Sequence, residues 1–316
     1  MTIISTQYAS GIVNATEKAA IAASKLIGLG DEKAADQVAV DAMRRALNDI
    51  DFKGRIVIGE GERDEAPMLY IGEEVGSGNN DEVDIALDPL EGTTITAKGM
   101  PNSLSVIAAA QKGGLLYAPD TYMDKIAVGG KLPKDVIDLD ASVKDNIQSI
   151  ADAKKIKAND VTACVLERPR HKDQIEALRT IGAKVVLIPD GDVAGVIMTT
   201  QIDNPVDIYL GIGGAPEGVL AAAALQCVGG QMQARLVIKN EDEKSRAQKI
   251  GIEDLDKKYS LDELAHGDII FSATGVTEGT MVRGVRNLYS KYITHSLVLR
   301  SSDSSTQYIE TYHKIT

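Results

Sequence analysis

The stretch Asp84-Ile85-Ala86-Leu87-Asp88-Pro89-Leu90-Glu91-Gly92-Thr93-Thr94 constrains this chain more than any other. Strand alternation puts Val83, Ile85 and Leu87 on one side and Asp84, Ala86 and Asp88 on the other. Pro89 cannot donate to a ladder, so the strand is expected to stop there and turn. A second carboxylate, Glu91, then precedes a glycine and two hydroxyls. Asp88 and Glu91 would meet at the strand mouth with Thr93 beside them. Two hard oxygen ligands next to a hydroxyl suit Mg2+ or Mn2+ acting on phosphate. Solvated acids on a polar turn are the alternative.

Composition narrows the partners of such a site. Acids outnumber bases, 46 against 34, for a formal net charge of −12. With no basic surplus, neither nucleic acid nor an anionic membrane is expected as a partner. A phosphate substrate would need cations gathered locally. Cys164 and Cys227 lack CxxC spacing, which favours reduced thiols and a cytoplasmic setting over a disulfide framework. Met1 to Ala9 lacks the basic and apolar regions of a signal peptide, and no apolar run reaches the roughly 20 residues of a membrane span. Trp is absent and Phe occurs twice, so aliphatic side chains and Ala must build the core.

At 316 residues the chain has room for two domains. Helices are expected over residues 12–27 and 35–50. In the second, Asp36 shares a face with Val40, Met43 and Leu47, either as a cap or first-turn acid or as a buried ligand. Arg55 to Ile58 reads as a strand entering an acidic loop, Gly59 to Pro67, of which one or two acids would bind metal. Strands are expected over 103–110, from 113 to 117, and over 125–128. From about residue 150 strand and helix alternate, the signature of a layered α/β unit. Strands at 161–166, 185–188 and 206–210 alternate with helices at 172–180, 192–199 and 217–225, and strands follow at 268–273 and 296–299. The expected division therefore falls near residue 155, into 1–155 and an α/β domain, 156–316.

Three strand ends in the second half carry polar payloads: Arg168 to His171, Asp190 to Asp192, and Gly211 to Glu217. Ligands collect at such carboxyl ends, and paired arginines suit an oxyanion. His171 is a candidate substrate contact. Gly211-x-Gly213 fails as a dinucleotide fingerprint because Pro216 occupies the third glycine position. The strand-then-Asp190-x-Asp192 pattern is similar to the nucleophile loop of haloacid-dehalogenase phosphatases, but it lies mid-chain and ends in Ala194.

Taken together, these segments resemble the class II fructose-1,6-bisphosphatases, members of the lithium-sensitive, metal-dependent phosphatases. The shared signature is Asp88 to Thr93. More specific are Ala35-Asp36, Ile56 to Glu62, Asp64 to Glu73, Ala118 to Met123, Arg168 to His171, Pro189 to Ala194, Gly211 to Gly218 and Phe271 to Gly275. The resemblance implies an α/β/α/β/α sandwich, a homodimer or homotetramer, and hydrolysis of the 1-phosphate of fructose 1,6-bisphosphate. Sedoheptulose 1,7-bisphosphate, another sugar or inositol phosphate, or a non-catalytic sensor are the alternatives. It implies Mn2+ or Mg2+ on Asp36, Glu60, Asp88 and Glu91, with Glu217 a further ligand. Catalysis falls to Thr93, Glu60 and Asp88. Substrate contacts fall to Glu91, Gly92, Thr93, Tyr122, Arg168, Pro169, Arg170, Asp190, Gly191, Asp192 and Gly214. Two positions depart from the commoner pattern: Arg168 stands where Lys is frequent, and Thr94 where Arg is frequent.

Overall fold

A computed structural model describes residues 4–60, 69–130, 132–201 and 206–315 of the chain. The chain first forms α1 (Ile4–Gln7), α2 (Ala9–Ser24), α3 (Glu32–Asn48), β1 (Lys53–Ile58), β2 (Glu74–Val75), β3 (Glu82–Glu91), α4 (Thr93–Lys98) and β4 (Leu104–Gln111). It continues through β5 (Tyr122–Gly129), α5 (Val143–Lys154), β6 (Thr162–Leu166), α6 (Lys172–Ile181), β7 (Lys184–Ile188) and α7 (Asp192–Met198). Then come β8 (Ile208–Gly214), α8 (Ala215–Val228), β9 (Gly230–Val237), α9 (Glu241–Lys249), β10 (Tyr259–Ser260) and α10 (Leu261–Leu264). The last stretch holds β11 (Ile269–Gly275), β12 (Arg286–Leu288), β13 (Lys291–Arg300) and β14 (Ser305–Lys314).

Two compact units result: Met1–Leu116 with His266–Thr316, and Tyr117–Ala265. The boundary expected near residue 155 falls inside the second unit, at the αL C-cap of α5. The change of pattern there marks the onset of strand–helix alternation, whereas the late strands return to the first sheet. Chain leaves and re-enters the first unit side by side, the His266 N–H donating to the Gly114 carbonyl at 2.8 Å.

The first unit is an eight-stranded sheet ordered β12-β13-β11-β4-β3-β1-β2, with β14 on β13. Among the described residues of this sheet, only the β1–β3 pair is parallel. The sheet face bearing Val83, Ile85, Leu87 and Leu90 packs against α2 and α3. Ala15, Ala19 and Ala23 keep α2 slim, and Ala39, Val40, Met43 and Leu47 form the inward stripe of α3. Asp31 caps α3 by accepting the Ala34 N–H at 3.0 Å. The scarcity of aromatics is thus met by close helix-on-sheet packing of small side chains.

The second unit is a six-stranded sheet ordered β10-β9-β5-β8-β6-β7. Strands β7, β6 and β8 run parallel, and β5 is antiparallel to both β8 and β9. Ile208 and Leu210 of β8 join Ile147, Ile150, Ile175 and Leu178 of α5 and α6 in one core. Tyr209 faces the other way, against Gly195 of α7. Each unit is therefore layered α/β, as the sequence leads one to expect.

Three local expectations change. Pro89 does not end β3: the strand runs to Glu91 through an irregularity between Asp88 and Glu91. A bulge tolerates the missing proline N–H, and the Leu90 N–H donates instead to Asp88 Oδ1 at 2.9 Å. Gly211 to Gly214 belongs to β8, laddered to β5. Residues 113–117 form no strand beyond an isolated bridge at Leu115.

Candidate active site

The bulge decides where the acids of β3 point. Asp88 lies opposite Val106 and Glu91 opposite Leu104. Val106 and Leu104 are two apart on β4 and share a face, so Asp88 and Glu91 share it too, despite a spacing of three. The parallel neighbour supplies a third acid: Ile58 is level with Ala86, and Glu60 follows two residues beyond the end of β1. The Glu60 N–H donates to the Leu69 carbonyl at 3.0 Å, fixing the exit of β1.

Glu91 is 3% exposed. Its carbonyl accepts from Ser103 Oγ at 3.0 Å, and Ser103 Oγ also lies 2.6 Å from Thr96 Oγ1. Gly92 then adopts φ +85°, ψ 54°, a left-handed turn that starts α4 with Thr93 as its first, half-buried residue.

Asp36 stands in the first turns of α3, half-buried, with no hydrogen-bond or ion-pair partner among the described residues. Burial alone raises its carboxyl above the usual range. It does not cap the helix, since Asp31 does. Of the acidic loop, Gly61 to Pro67, and with it Glu62, Asp64 and Glu65, lies outside the described residues. Among the described residues no three His, Cys, Asp or Glu side chains close into a single ligating cluster. The acids of the first unit fit a hard divalent cation in kind, being carboxylate oxygens throughout, with a desolvated Asp36 among them.

In the second unit the chain passes from β6 to β7 on one side and then to β8 on the other. The carboxyl ends of β6 and β8 therefore form a topological switch point, where open α/β sheets bind ligands. Arg168, Pro169 and Arg170 follow β6; Asp190, Gly191 and Asp192 follow β7; Gly214 and Glu217 close β8 and open α8. Tyr122, the first residue of β5, pairs with Gly214 at the same end.

Each of these side chains has a definite anchor. Arg168 donates to the Glu167 and Pro189 carbonyls, with Nη2 3.5 Å from Asp190 Oδ1. Arg170 donates through Nε and Nη2 to the Ile212 carbonyl at 2.9 and 2.7 Å, and its guanidinium stands 4.9 Å from the Tyr122 ring centre. Asp192 is 5% exposed and ion-paired to Lys125. Lys125, itself 1% exposed, also donates to the Gly214 carbonyl at 2.8 Å. The Glu217 carboxyl is pushed up to about 7, first by burial and then by Asp192, and its Oε2 is buried with no hydrogen-bond partner.

His171 is a correction. It is 2% exposed, and its ring joins two strand ends instead of facing substrate. The Ile212 N–H donates to Nε2 at 2.8 Å, so the proton sits on Nδ1 and is donated to the Leu166 carbonyl at 2.7 Å. Two residues escape the sequence reading. Lys125 is the one cation of β5, next to Asp124 and ahead of an apolar run, a signal in retrospect. Lys239, whose Nζ lies 3.5 Å from the Tyr122 ring centre, carries no such signal.

The sequence matches known proteins along nearly its whole length. The model of the family described as "Bacterial fructose-1,6-bisphosphatase, glpX-encoded" matches residues 6–313. Fructose-1,6-bisphosphatase 2 class 2 of Escherichia coli (strain K12) is 45% identical over 312 residues, covering 94% of this chain and 97% of that protein. D-fructose 1,6-bisphosphatase class 2/sedoheptulose 1,7-bisphosphatase of Synechococcus sp. (strain JA-3-3Ab) is 43% identical over 327 residues, covering 96% and 94%. Among solved structures, the extragenic suppressor protein suhB from Bartonella henselae aligns at 14% identity and TM-score 0.30, over 60% of this chain and 72% of that one. That last likeness is too slight to bear on the assignment. With a family match over nearly its whole length and relatives above 40% identity, the chain belongs to the glpX-encoded bacterial fructose-1,6-bisphosphatases, the class 2 enzymes.

Proposed function

We propose that the chain hydrolyses the 1-phosphate of fructose 1,6-bisphosphate, releasing fructose 6-phosphate and phosphate. The observation that carries this reading is the β3 bulge, which turns Asp88 and Glu91 to one face, with Glu60 just past the end of the neighbouring β1. Asp36, Glu60, Asp88 and Glu91, with Glu217, are the residues that would hold Mn2+ or Mg2+. Such a cation, when bound, neutralises phosphoryl oxygens and lowers the pKa of a coordinated water.

Thr93 orients the attacking water through its hydroxyl, in line with the bond to the sugar oxygen. Phosphorus gains the water oxygen, the bond to the C1 oxygen breaks, and that oxygen takes up a proton. No phosphoenzyme forms. Arg168 and Arg170, beside Tyr122, hold the distal 6-phosphate, whose binding energy positions the reacting end. Asp190 accepts hydrogen bonds from sugar hydroxyls. Asp192, engaged by Lys125, keeps the Asp190-Gly191 turn in shape, and Gly214 lines the same strand end.

The cyanobacterial relative's name supports sedoheptulose 1,7-bisphosphate as a second substrate. None of the described helices is long and apolar enough to cross a membrane. A cytoplasmic homodimer or homotetramer completes the reading.

Phosphate release with Mn2+ from both bisphosphates tests it, wild type against Thr93→Ala. The wild type is expected to release one phosphate from fructose 1,6-bisphosphate, and Thr93→Ala to lose about 100-fold or more in kcat. Equal rates would remove the role of Thr93. No release from either sugar would overturn the function.

A further inference from the structure

Tyr122 begins β5 between two strand ends, paired with Gly214 of β8 on one side and Val237 of β9 on the other. Its ring receives two cations: the Arg170 guanidinium at 4.9 Å and the Lys239 ammonium at 3.5 Å from the ring centre. Neither cation makes an ion pair with a carboxylate among the described residues. A cation on a half-buried aromatic ring gains only modestly from it. Two like charges drawn to one ring therefore form a favourable arrangement chiefly when an anion is shared between them.

Lys239 is also held in place by its backbone. Its N–H donates to Glu243 Oε2 at 2.7 Å, and the same oxygen accepts from Thr121 Oγ1 at 3.1 Å, next to Tyr122 in the chain. Asn240 caps α9 by accepting the Glu243 N–H at 2.9 Å. Glu243 thus accepts from an amide and a hydroxyl on one oxygen and from Asn240 Nδ2 on the other. It feels the Lys239 charge but makes no ion pair with it among the described residues, and the ammonium lies on the ring. On the other side, Arg170 commits Nε and Nη2 to the Ile212 carbonyl, which fixes the guanidinium plane. Its remaining N–H groups stay available to an oxyanion.

We propose that Lys239 binds the distal phosphate of the sugar bisphosphate, sharing it with Arg170 at the Tyr122 ring. This rests on the phosphatase reading above and adds a residue to it. A phosphate dianion offers enough oxygens to take the guanidinium fork and a point-charge ammonium together. Lys239 thus sets the preference for bisphosphates over sugars phosphorylated only at the reacting end.

The test uses the full-length protein with Mn2+, as wild type, Lys239→Ala and Lys239→Arg. Steady-state kinetics are measured on fructose 1,6-bisphosphate and on fructose 1-phosphate, which lacks the distal group. Fructose 6-phosphate binding is followed by calorimetry. In Lys239→Ala the KM for the bisphosphate is expected to rise at least tenfold, with a kcat change under threefold. The preference for bisphosphate over monophosphate should fall by a similar factor, and Lys239→Arg should recover most of it. An unchanged KM in a protein that turns over the bisphosphate overturns the proposal, and so does an equal loss on both substrates. If the wild type released no phosphate at all, the phosphatase reading would fail and calorimetry would decide the subsite alone. Fructose 6-phosphate binding weakened tenfold by Lys239→Ala would then sustain it, and equal or absent binding would overturn it.

Discussion

At the scale of single residues, the charge that matters most to the architecture is Lys125. It is 1% exposed, and it joins Asp192 at the start of α7 to the Gly214 carbonyl at the end of β8. Gly213 and Gly214 leave no room for a Cβ beside this pair, because Asp192 and Glu217 oxygens already fill the space. Removing one partner of a buried pair strands the other charge, at a cost of about 3–5 kcal/mol. Lys125→Met is therefore expected to lose about that much in urea unfolding. Lys125→Met combined with Asp192→Asn should recover a large part, because Asp192 then carries no charge and Glu217, without the Lys125 charge that lowers its pKa, is free to hold its proton.

His171 gives a pH prediction at the same scale. Burial holds its pKa below the usual 6.5, so the folded protein takes up the proton at lower pH than the unfolded chain does. Its contribution to stability is then full above pH 6.5 and declines as pH falls from there through the folded value. His295 and His313 are shifted the same way, so the comparison must be with a variant. His171→Gln should be less stable than wild type at pH 8, by about 1–3 kcal/mol for each poorly replaced hydrogen bond. The gap in urea midpoint should narrow at pH 5.5. That Asp88, Glu91 and Thr93 lie close together is legible in the sequence because one short segment carries all three. The setting of Lys125, His171 and Lys239 is not, because their partners are 67, 41 and 117 residues away and meet them only through strand order.

Elements were legible where the pattern is local. The stripes of α2 and α3 and the strand–helix alternation of β6 to α8 follow from spacing alone. The misread segments depend on a partner. Gly211 to Gly214 looks like a loop because glycine-rich runs usually are, yet β5 ladders along it residue by residue. The end of β3 looks like a proline stop, yet β4 continues past it and absorbs the extra residue as a bulge. The turn into α4 does depend on its own sequence. Gly92 sits at φ +85°, where an L side chain costs about 1–2 kcal/mol. A Cβ there would also crowd Ile95. Gly92→Ala is expected to lower stability by that amount and, by displacing Thr93, to lower kcat at least tenfold. Unchanged kcat with reduced Tm would separate the turn from the chemistry.

At the scale of the molecule, the chain is one unit interrupted by another. One apolar cluster of the first unit draws on residues up to Ala109 and again from Ile270 onward, and one of the second lies between Ile126 and Leu210. No residue is common to both. β11 sits between β4 and β13, so the first sheet is incomplete without the returning chain. Gly114 and His266, hydrogen-bonded at 2.8 Å, already bring the two ends of the break together. Replacing Tyr117–Ala265 with a short Gly/Ser linker should therefore leave a protein that folds, since closing a small loop costs little entropy. Far-UV circular dichroism should show mixed helix and strand, with a single cooperative thermal transition. Residues 1–116 alone should show no such transition, because the sheet then ends at β4 and the apolar contributions of Ile270 and Val298 are gone. The linked protein should release no phosphate from fructose 1,6-bisphosphate, having lost Tyr122, Arg168, Arg170 and Asp190 together. A linked protein that fails to fold would mean that the first unit's core depends on residues 117–265, against the separation of the two clusters.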